Sequence, residues 1–231
     1  MWYSLVWKEW REQRWKMAFG CALLAGFTFI GLRTRVMPDD VIVEFSMMIG
    51  GLLLPLIVSM GLIAPGRADG SLARLLALPV PAWHVLAAKA AVGLAVVAAP
   101  VLVAAALALL IAGGRELSAA DLLGMYAITM GIALATFTWM TATSIRQPSE
   151  ARAGLVGIAV FAAWSTLLFL AGVMGLGPWA LYVSPFAFSA ASKGGPSPGF
   201  GPLVVAQVGI MVLLWAWAAR RLARPVRGGA A

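Results

Sequence analysis

The chain has 231 residues, of which 62% are hydrophobic and only 11% are charged. Ordinary soluble domains carry roughly 25% charged residues, so this chain has too few charges to cover a soluble domain of its length. The composition excludes a cytosolic globular enzyme, a disordered chain and a disulfide scaffold. The net charge of +8 lies mostly between apolar runs, which indicates membrane orientation rather than nucleic-acid binding. The single cysteine, Cys21, cannot form an internal disulfide.

Six apolar runs are long enough to cross a bilayer, which takes about 20 residues. The runs are continuous rather than alternating, which favours helices over barrel strands. We therefore predict an all-α polytopic membrane protein with one transmembrane domain over residues 1–231. The predicted spans are residues 17–32, 43–64, 85–112, 122–145, 153–176 and 203–219.

The basic residues predict the orientation of these spans. All Lys and Arg residues except Arg33, Arg35, Arg115 and Lys193 fall on the side of the membrane that holds the N-terminus. Because cytoplasmic loops carry the excess of basic residues, we expect the N-terminus inside. An even number of spans then places the C-terminus inside as well.

Glycines and prolines within the spans predict where helices approach or bend. Pro55 and Pro100 lie near the middle of spans two and three and can kink them. Small residues permit close helix packing in membranes. The candidate positions are Gly20, Gly26, Gly50, Gly51 and Gly93.

Residues 1–16 form a predicted amphipathic helix. Its aromatic arc holds Trp2, Tyr3, Val6, Trp7 and Trp10, and its opposite polar arc holds Ser4, Lys8, Glu9, Arg11, Glu12 and Lys16. Tryptophan at interface depth with cations on the wet face is typical of a helix lying in the membrane interface. The pattern fits a plain anchor that sets the topology, and it also fits a helix that contacts a cytoplasmic partner.

Residues 66–81 form the most informative loop. Asp69 or Ser71 can cap a helix start, and Leu72, Leu75 and Leu76 then share one face. Prolines 79 and 81 end the helix after about two turns. The leucine face can fold back on its own spans, or it can enter a groove on a partner.

Residues 177–202 begin apolar and aromatic and end polar and glycine-rich. The apolar half is too short to span the membrane. It fits a re-entrant segment that is buried in protein, and it fits almost equally well an aromatic belt on the outer leaflet.

The sequence lacks the motifs of several chemistries. No G-x-x-x-x-G-K-[ST] loop for ATP is present. With one histidine, His84, and one cysteine, a metal site within one chain is not expected. Hydrolase and zinc-protease motifs are absent. We therefore expect no catalysis, metal or cofactor in this chain.

Three stretches resemble the membrane subunit, or permease, of type 2 ABC transporters. Lys8-Glu9-Trp10-Arg11-Glu12 is similar to the family's connecting helix, and the stretch from Asp69 through Leu78-Pro79-Val80-Pro81 to Lys89 is similar to its coupling-helix loop. Tyr182-Val183-Ser184-Pro185-Phe186 resembles the segment before the last span.

The resemblance implies a subunit of a bacterial exporter in the inner membrane. Two copies of a separate ATPase subunit would hold ATP and Mg, and a second permease copy, identical or related, would complete the path. The coupling helix would dock on the ATPase. The implied docking residues are Arg67, Asp69, Gly70, Ser71, Leu72, Arg74, Leu75, Leu76, Leu78 and Pro79.

The resemblance also implies roles at the two ends of the path. Trp7, Lys8, Trp10, Arg11 and Arg14 would flank the coupling helix, and the outer gate would include Tyr182, Ser184, Pro185 and Phe186. The family often has an acidic residue where Ala73 or Arg74 stands here, so ion pairing with the ATPase would differ.

Two further hypotheses stay open at this point. One is a membrane scaffold or assembly factor that binds partners without moving a substrate. The other, within the same class, is a haem-exporter-like subunit of cytochrome c maturation, whose coupling loop is also similar. In that branch the Ser-Pro-Phe stretch lies near the C-terminus, whereas here a sixth span follows it, which favours a general exporter permease.

Overall fold

The computed structural model describes residues 2–34, 38–77, 81–111, 118–175, 182–184, 187–188 and 200–223. These residues form helices and connecting turns, with no strand among them. The helices are α1 (Trp2–Thr34), α2 (Asp39–Ser46), a π-helical segment (Met47–Leu53), α3 (Leu54–Ala68), α4 (Ser71–Ala77), α5 (Ala82–Ile111), α6 (Ala119–Ser144), α7 (Glu150–Val173) and α8 (Phe200–Ala223).

Six helical stretches are long and apolar enough to cross a membrane, as predicted. They are Trp2–Thr34, Glu44–Ala68, Ala82–Ile111, Ala119–Ser144, Glu150–Val173 and Gly201–Leu222. The first differs from the prediction, because α1 runs without a break for 33 residues. It therefore joins the proposed interfacial helix 1–16 and the proposed span 17–32 into one element.

Serine caps explain why two helices begin a few residues before their predicted spans. Ser118 caps α6, and its side chain accepts a hydrogen bond from the Asp121 N–H at 3.1 Å. The Asp121 carboxylate accepts in return from the Ser118 N–H, which completes a capping box. Ser149 caps α7 by accepting from the Arg152 N–H at 3.3 Å. Polar caps lie outside the apolar window from which the spans were predicted.

The second span is interrupted by the π-helical segment at Met47–Leu53. A Cβ on Gly51 would lie 2.9 Å from Ile132 of α6, and one on Gly50 would lie 3.2 Å from Leu24 of α1. The backbone of this segment therefore packs directly against two neighbouring helices. Pro55 lies two residues after the last residue of this segment and has no N–H to donate to the preceding turn. A widened turn is a common way for a helix to absorb such a break.

Close helix contacts occur at four of the five predicted glycines. Gly20 of α1 faces Leu54 and Pro100, and Gly93 of α5 faces the Phe137 ring of α6. Gly26 is the exception, because a Cβ added there would meet no atom within 4 Å.

The core lies between α1, α3, α5 and α6, while α7 and α8 stand at the periphery. The buried centre includes Val58, Leu62, Val96, Val97 and Phe137. Only 6% of the apolar window of α7 and 17% of that of α8 are buried. These two helices therefore present most of their apolar surface outward, which suits contact with lipid.

Candidate functional site

The short helix α4 follows directly after the second span. Gly70 joins α3 to α4 with φ of +74°, a left-handed conformation that favours glycine. The Asp69 carboxylate accepts a hydrogen bond from the Ser71 N–H at 2.8 Å. This bond holds the pKa of the Asp69 carboxyl below its ordinary value, so a negative charge stays at the N-terminal end of α4. The predicted helix of about two turns is thus present, and Asp69 binds its first turn.

The leucines of α4 face the chain's own bundle. Leu72 is only 3% exposed, and Leu75 and Leu76 are half-buried and pack against the same core. Of the two alternatives for the leucine face, the structure favours the one in which it folds back. Leu72 thus packs inside the chain in this conformation, and its role as a docking residue stays a prediction.

The outward side of α4 carries different residues. Ala73, Arg74 and Ala77 are exposed, and Asp69 is exposed just before the helix. Of the predicted docking residues, Asp69 and Arg74 therefore lie on an accessible surface, with Gly70 and Ser71 half-buried beside them. Leu78 and Pro79 lie outside the described residues.

A buried ion pair joins α1 to α5. The Lys89 Nζ lies 2.8 Å from both Glu9 carboxylate oxygens, and it also donates to the Leu62 carbonyl of α3 at 2.9 Å. The Glu9 and Lys89 side chains are 3% and 6% exposed. Buried charges persist only when they are paired and hydrogen-bonded. The prediction that Glu9 lies on the wet face of an interfacial helix was therefore wrong, because Lys89 recruits it into the bundle.

A second contact supplies a hydrogen-bond donor that is missing within α3. Pro65 has no N–H, so the Gly61 carbonyl, four residues earlier, lacks its helical donor. The side chain of Gln13 in α1 donates to that carbonyl at 3.1 Å. Gln13 is itself buried and lies one turn after Glu9. Adjacent turns of α1 therefore bind the end of α3 just before α4 begins.

Arg67 fixes the same end of α3 to α6. Its guanidinium donates to the Ile145 carbonyl, at the C-terminus of α6, at 2.8 Å. Arg67 was implied as a docking residue; its guanidinium contacts a carbonyl of this chain here, and the docking role stays a prediction. We call the set formed by Glu9, Gln13, Arg67 and Lys89 the polar junction.

The polar junction was missed because its members were assigned separate roles. Lys89 fitted the basic bias that sets topology, and Glu9 fitted a solvated helix face. A usable signal was present, since Glu9 and Gln13 stand four residues apart on one face and Pro65 leaves a carbonyl without a donor. Partners 80 residues apart in the chain, as Glu9 and Lys89 are, cannot be paired from local pattern alone.

The predicted connecting-helix residues are divided by their exposure. Trp7 is 56% exposed, Arg11 and Arg14 are exposed, and Trp10 packs partly on the core. Lys8 forms a partly exposed pair with Glu12 at 3.4 Å. The aromatic arc of α1 is thus divided: Trp2, Tyr3 and Trp7 are exposed, as membrane-contacting side chains are, whereas Val6 and Trp10 pack against the core.

The described part of the predicted outer gate packs inside the bundle. Ser184 is fully buried, Tyr182 is half-buried, and Gln207 of α8 donates to both their carbonyls. Phe188 lies against Gly131, where an added Cβ would lie 2.9 Å from the ring. Pro185 and Phe186 lie outside the described residues.

These partners place the segment well along two spans. Gln207 is about 10 Å from the start of α8, and Gly131 is about 18 Å from the start of α6, at 1.5 Å per residue. The Gln207 side chain supplies a donor to backbone carbonyls that lie inside the bundle, and the assignment of a re-entrant segment stays a prediction.

The fold defines a multi-pass membrane protein, with six apolar helices and one short helix between the second and third spans. The family model for ABC-2 family transporter proteins matches residues 22–180, which is more than half of the chain. The chain therefore belongs to this family and is a type 2 ABC transporter permease, a membrane component of transport. A comparison with curated proteins gives no match.

The family match covers α4 and most of the bundle but only part of the polar junction. It begins after the first half of α1 and ends before α8. Glu9 and Gln13 therefore lie outside the matched residues, whereas Lys89 and Arg67 lie inside them.

Proposed function

We propose that this permease couples to a separate ATPase subunit through α4 and forms one half of an export path. The observation that carries the proposal is the placement of α4. Its inner face is packed into the core through Leu72, and its outer face is exposed at Ala73, Arg74 and Ala77. A helix held in this way can pass a displacement caused by a partner on to the bundle, because it cannot move independently of the bundle.

The polar junction supports the transmission step. It connects the end of α3, immediately before α4, to α1, α5 and α6 by the hydrogen bonds of Gln13, Lys89 and Arg67. A displacement of α4 is therefore passed to four helices together. Charge-assisted hydrogen bonds in a water-poor setting suit this purpose because they are short and directional.

ATP and Mg belong to the partner in this account, with two ATPase copies serving two permease copies. The sequence supports this division because it contains no phosphate-binding loop. The second permease copy is either identical or related. The weakly buried α7 and α8 offer apolar surface to lipid and to a second copy.

The segment around Ser184 is proposed as the outer gate. Its packing against α6 and α8 through Phe188 and Gln207 supports a closed state in the present conformation. Both termini in the bacterial cytoplasm agree with the placement of the basic residues, and export from that side is part of the proposal.

The test is ATP hydrolysis by complexes purified through this chain from native membranes. We expect Ala73→Trp to abolish the co-purified, vanadate-sensitive ATPase activity, because the added ring blocks an exposed docking surface. Ala120→Trp, on an exposed position at the opposite end of the bundle, is the matched control and should leave the activity unchanged. Equal activity in both variants would contradict docking through α4 and would favour the scaffold hypothesis.

A further inference from the structure

An apolar groove lies between α6 and α8. Its volume is about 490 Å³, within the range of roughly 300–1,000 Å³ that is usual for small-molecule sites. Its walls are almost wholly apolar and include two tryptophans. They contain Trp139, Ala142 and Thr143 of α6 and Leu213, Leu214 and Trp217 of α8.

The apolar walls are suited to a hydrocarbon chain. The one hydroxyl named among them, that of Thr143, already donates to the Met140 carbonyl of its own helix at 3.0 Å. The α8 wall extends from Ile210 to Trp217, or about 10 Å of helix. Leu213 is 70% exposed and Trp217 is 41% exposed, so the groove opens sideways to the surrounding membrane and not to the bundle centre.

The mouth of the groove carries positive charge. The Arg221 guanidinium lies 5.2 Å from the centre of the Trp217 ring, in cation–π range, and Arg220 is exposed beside it. Arg146 is exposed just beyond the end of α6. Among the described residues, none of these arginines has a carboxylate within ion-pair distance.

Two other roles for these arginines do not explain why the Arg221 guanidinium lies on the Trp217 ring. Basic residues in the last turn of a helix complement its dipole, and basic loops set topology. Neither role requires a guanidinium resting on the tryptophan that forms the groove wall. A planar guanidinium fixed in this way is well suited to bind a phosphate through two parallel N–H groups.

We propose that this groove binds an anionic phospholipid of the leaflet in which α8 ends. One acyl chain would lie between α6 and α8, and the phosphate would bind Arg221 with Arg220 nearby. Anionic headgroups are attracted by about 1 kcal/mol per basic residue near the surface. The proposal commits to a lipid because the walls are apolar, the mouth is cationic and the opening faces sideways. It does not depend on an ATPase partner.

The experiment is native mass spectrometry of the purified, delipidated full chain with added dioleoyl phosphatidylglycerol or dioleoyl phosphatidylcholine. We expect one phosphatidylglycerol to be retained in preference to phosphatidylcholine. Arg221→Gln should weaken that binding about fivefold, which corresponds to about 1 kcal/mol. Arg152→Gln, at an exposed arginine in the first turn of α7, is the matched control and should have no effect.

A second pair of variants tests the groove itself. Leu213→Trp fills the groove and should abolish the retained lipid. Val212→Trp adds the same ring at the preceding position, which is 61% exposed and outside the groove lining, and should not. Equal retention of both lipids, or equal loss in both variants, would overturn the proposal. A change in the monomer-to-dimer ratio with Leu213→Trp, at unchanged lipid retention, would instead assign the groove to a second copy of the chain.

Discussion

At the scale of single residues, the Glu9–Lys89 pair is the strongest local determinant of the site. Removing one partner of a buried pair leaves an uncompensated charge, which costs about 3–5 kcal/mol. We expect Lys89→Met to destabilise the detergent-solubilised protein by that amount in thermal unfolding. Lys8→Met removes the partly exposed pair with Glu12 and should cost about 0–1 kcal/mol.

A double variant separates charge burial from packing. Glu9→Leu combined with Lys89→Met removes both charges, so it should recover most of the stability lost in Lys89→Met alone. If Lys89→Met unfolds at the same temperature as the unaltered protein, the pair is not buried as described.

The contact between Gln13 and the Gly61 carbonyl gives a second residue-scale prediction. Gln13→Leu should cost about 1–3 kcal/mol, because a buried carbonyl loses its donor. In a Pro65→Ala background the helix can supply an N–H to Gly61, so the penalty of Gln13→Leu should shrink. A thermodynamic cycle over the two positions measures this coupling, and strictly additive effects would contradict the proposal that Gln13 supplies the donor missing within α3.

At the scale of elements, the segment around Ser184 is held by its fit against α6. Gly131→Ala places a Cβ against the Phe188 ring, so we expect the segment to loosen. The readout is maleimide labelling of Ala187→Cys, a fully buried position, in a Cys21→Ser background. Labelling should accelerate with Gly131→Ala.

Gly124→Ala is the matched control in the same helix, since a Cβ there would meet no atom within 4 Å. It should leave the labelling rate unchanged. Labelling of Ala187→Cys that is already fast without a substitution at Gly131 would show that the segment lies on the membrane surface, as the aromatic-belt alternative holds.

Most elements of the fold were predictable from the sequence because membrane spans have a simple requirement of length and hydrophobicity. The short helix α4 was predictable from Asp69, the leucine spacing and the following prolines. The direction of its leucine face was not predictable, because the same leucine pattern is found in helices buried in a bundle and in helices that dock in a partner's groove. The π-helical segment at Gly50–Gly51 was also hidden, since it depends on contacts with Leu24 and Ile132 of distant helices.

The continuity of α1 shows a further limit of reasoning from local pattern. The amphipathic arc and the apolar run met at Lys16 and suggested two elements. Nothing in the sequence there breaks a helix, and the contacts of Glu9 and Gln13 with the bundle hold the first half in line with the second. Tertiary contacts thus decide between a helix lying in the interface and one extending from a span.

At the scale of the whole molecule, the two ends of the bundle differ in character. The end that holds α4 contains the polar junction and the exposed Arg74, whereas Ser184 packs among α6 and α8 nearer the other end. This difference between the two ends suits a transporter in which a partner acts at one end of the bundle and the path opens at the other. The peripheral α7 and α8 leave apolar surface for lipid and for the second copy that we propose.

The central claim is that the outward face of α4 contacts an ATPase subunit. The most direct measurement is site-specific cross-linking in native membranes from Ala73→Cys in a Cys21→Ser background, with the attached protein identified by mass spectrometry. Leu72→Cys, at the adjacent but buried position, is the matched control. We expect an ATP-binding subunit attached at position 73 and not at position 72. Products at position 73 that contain only this chain, or no ATPase, would contradict it.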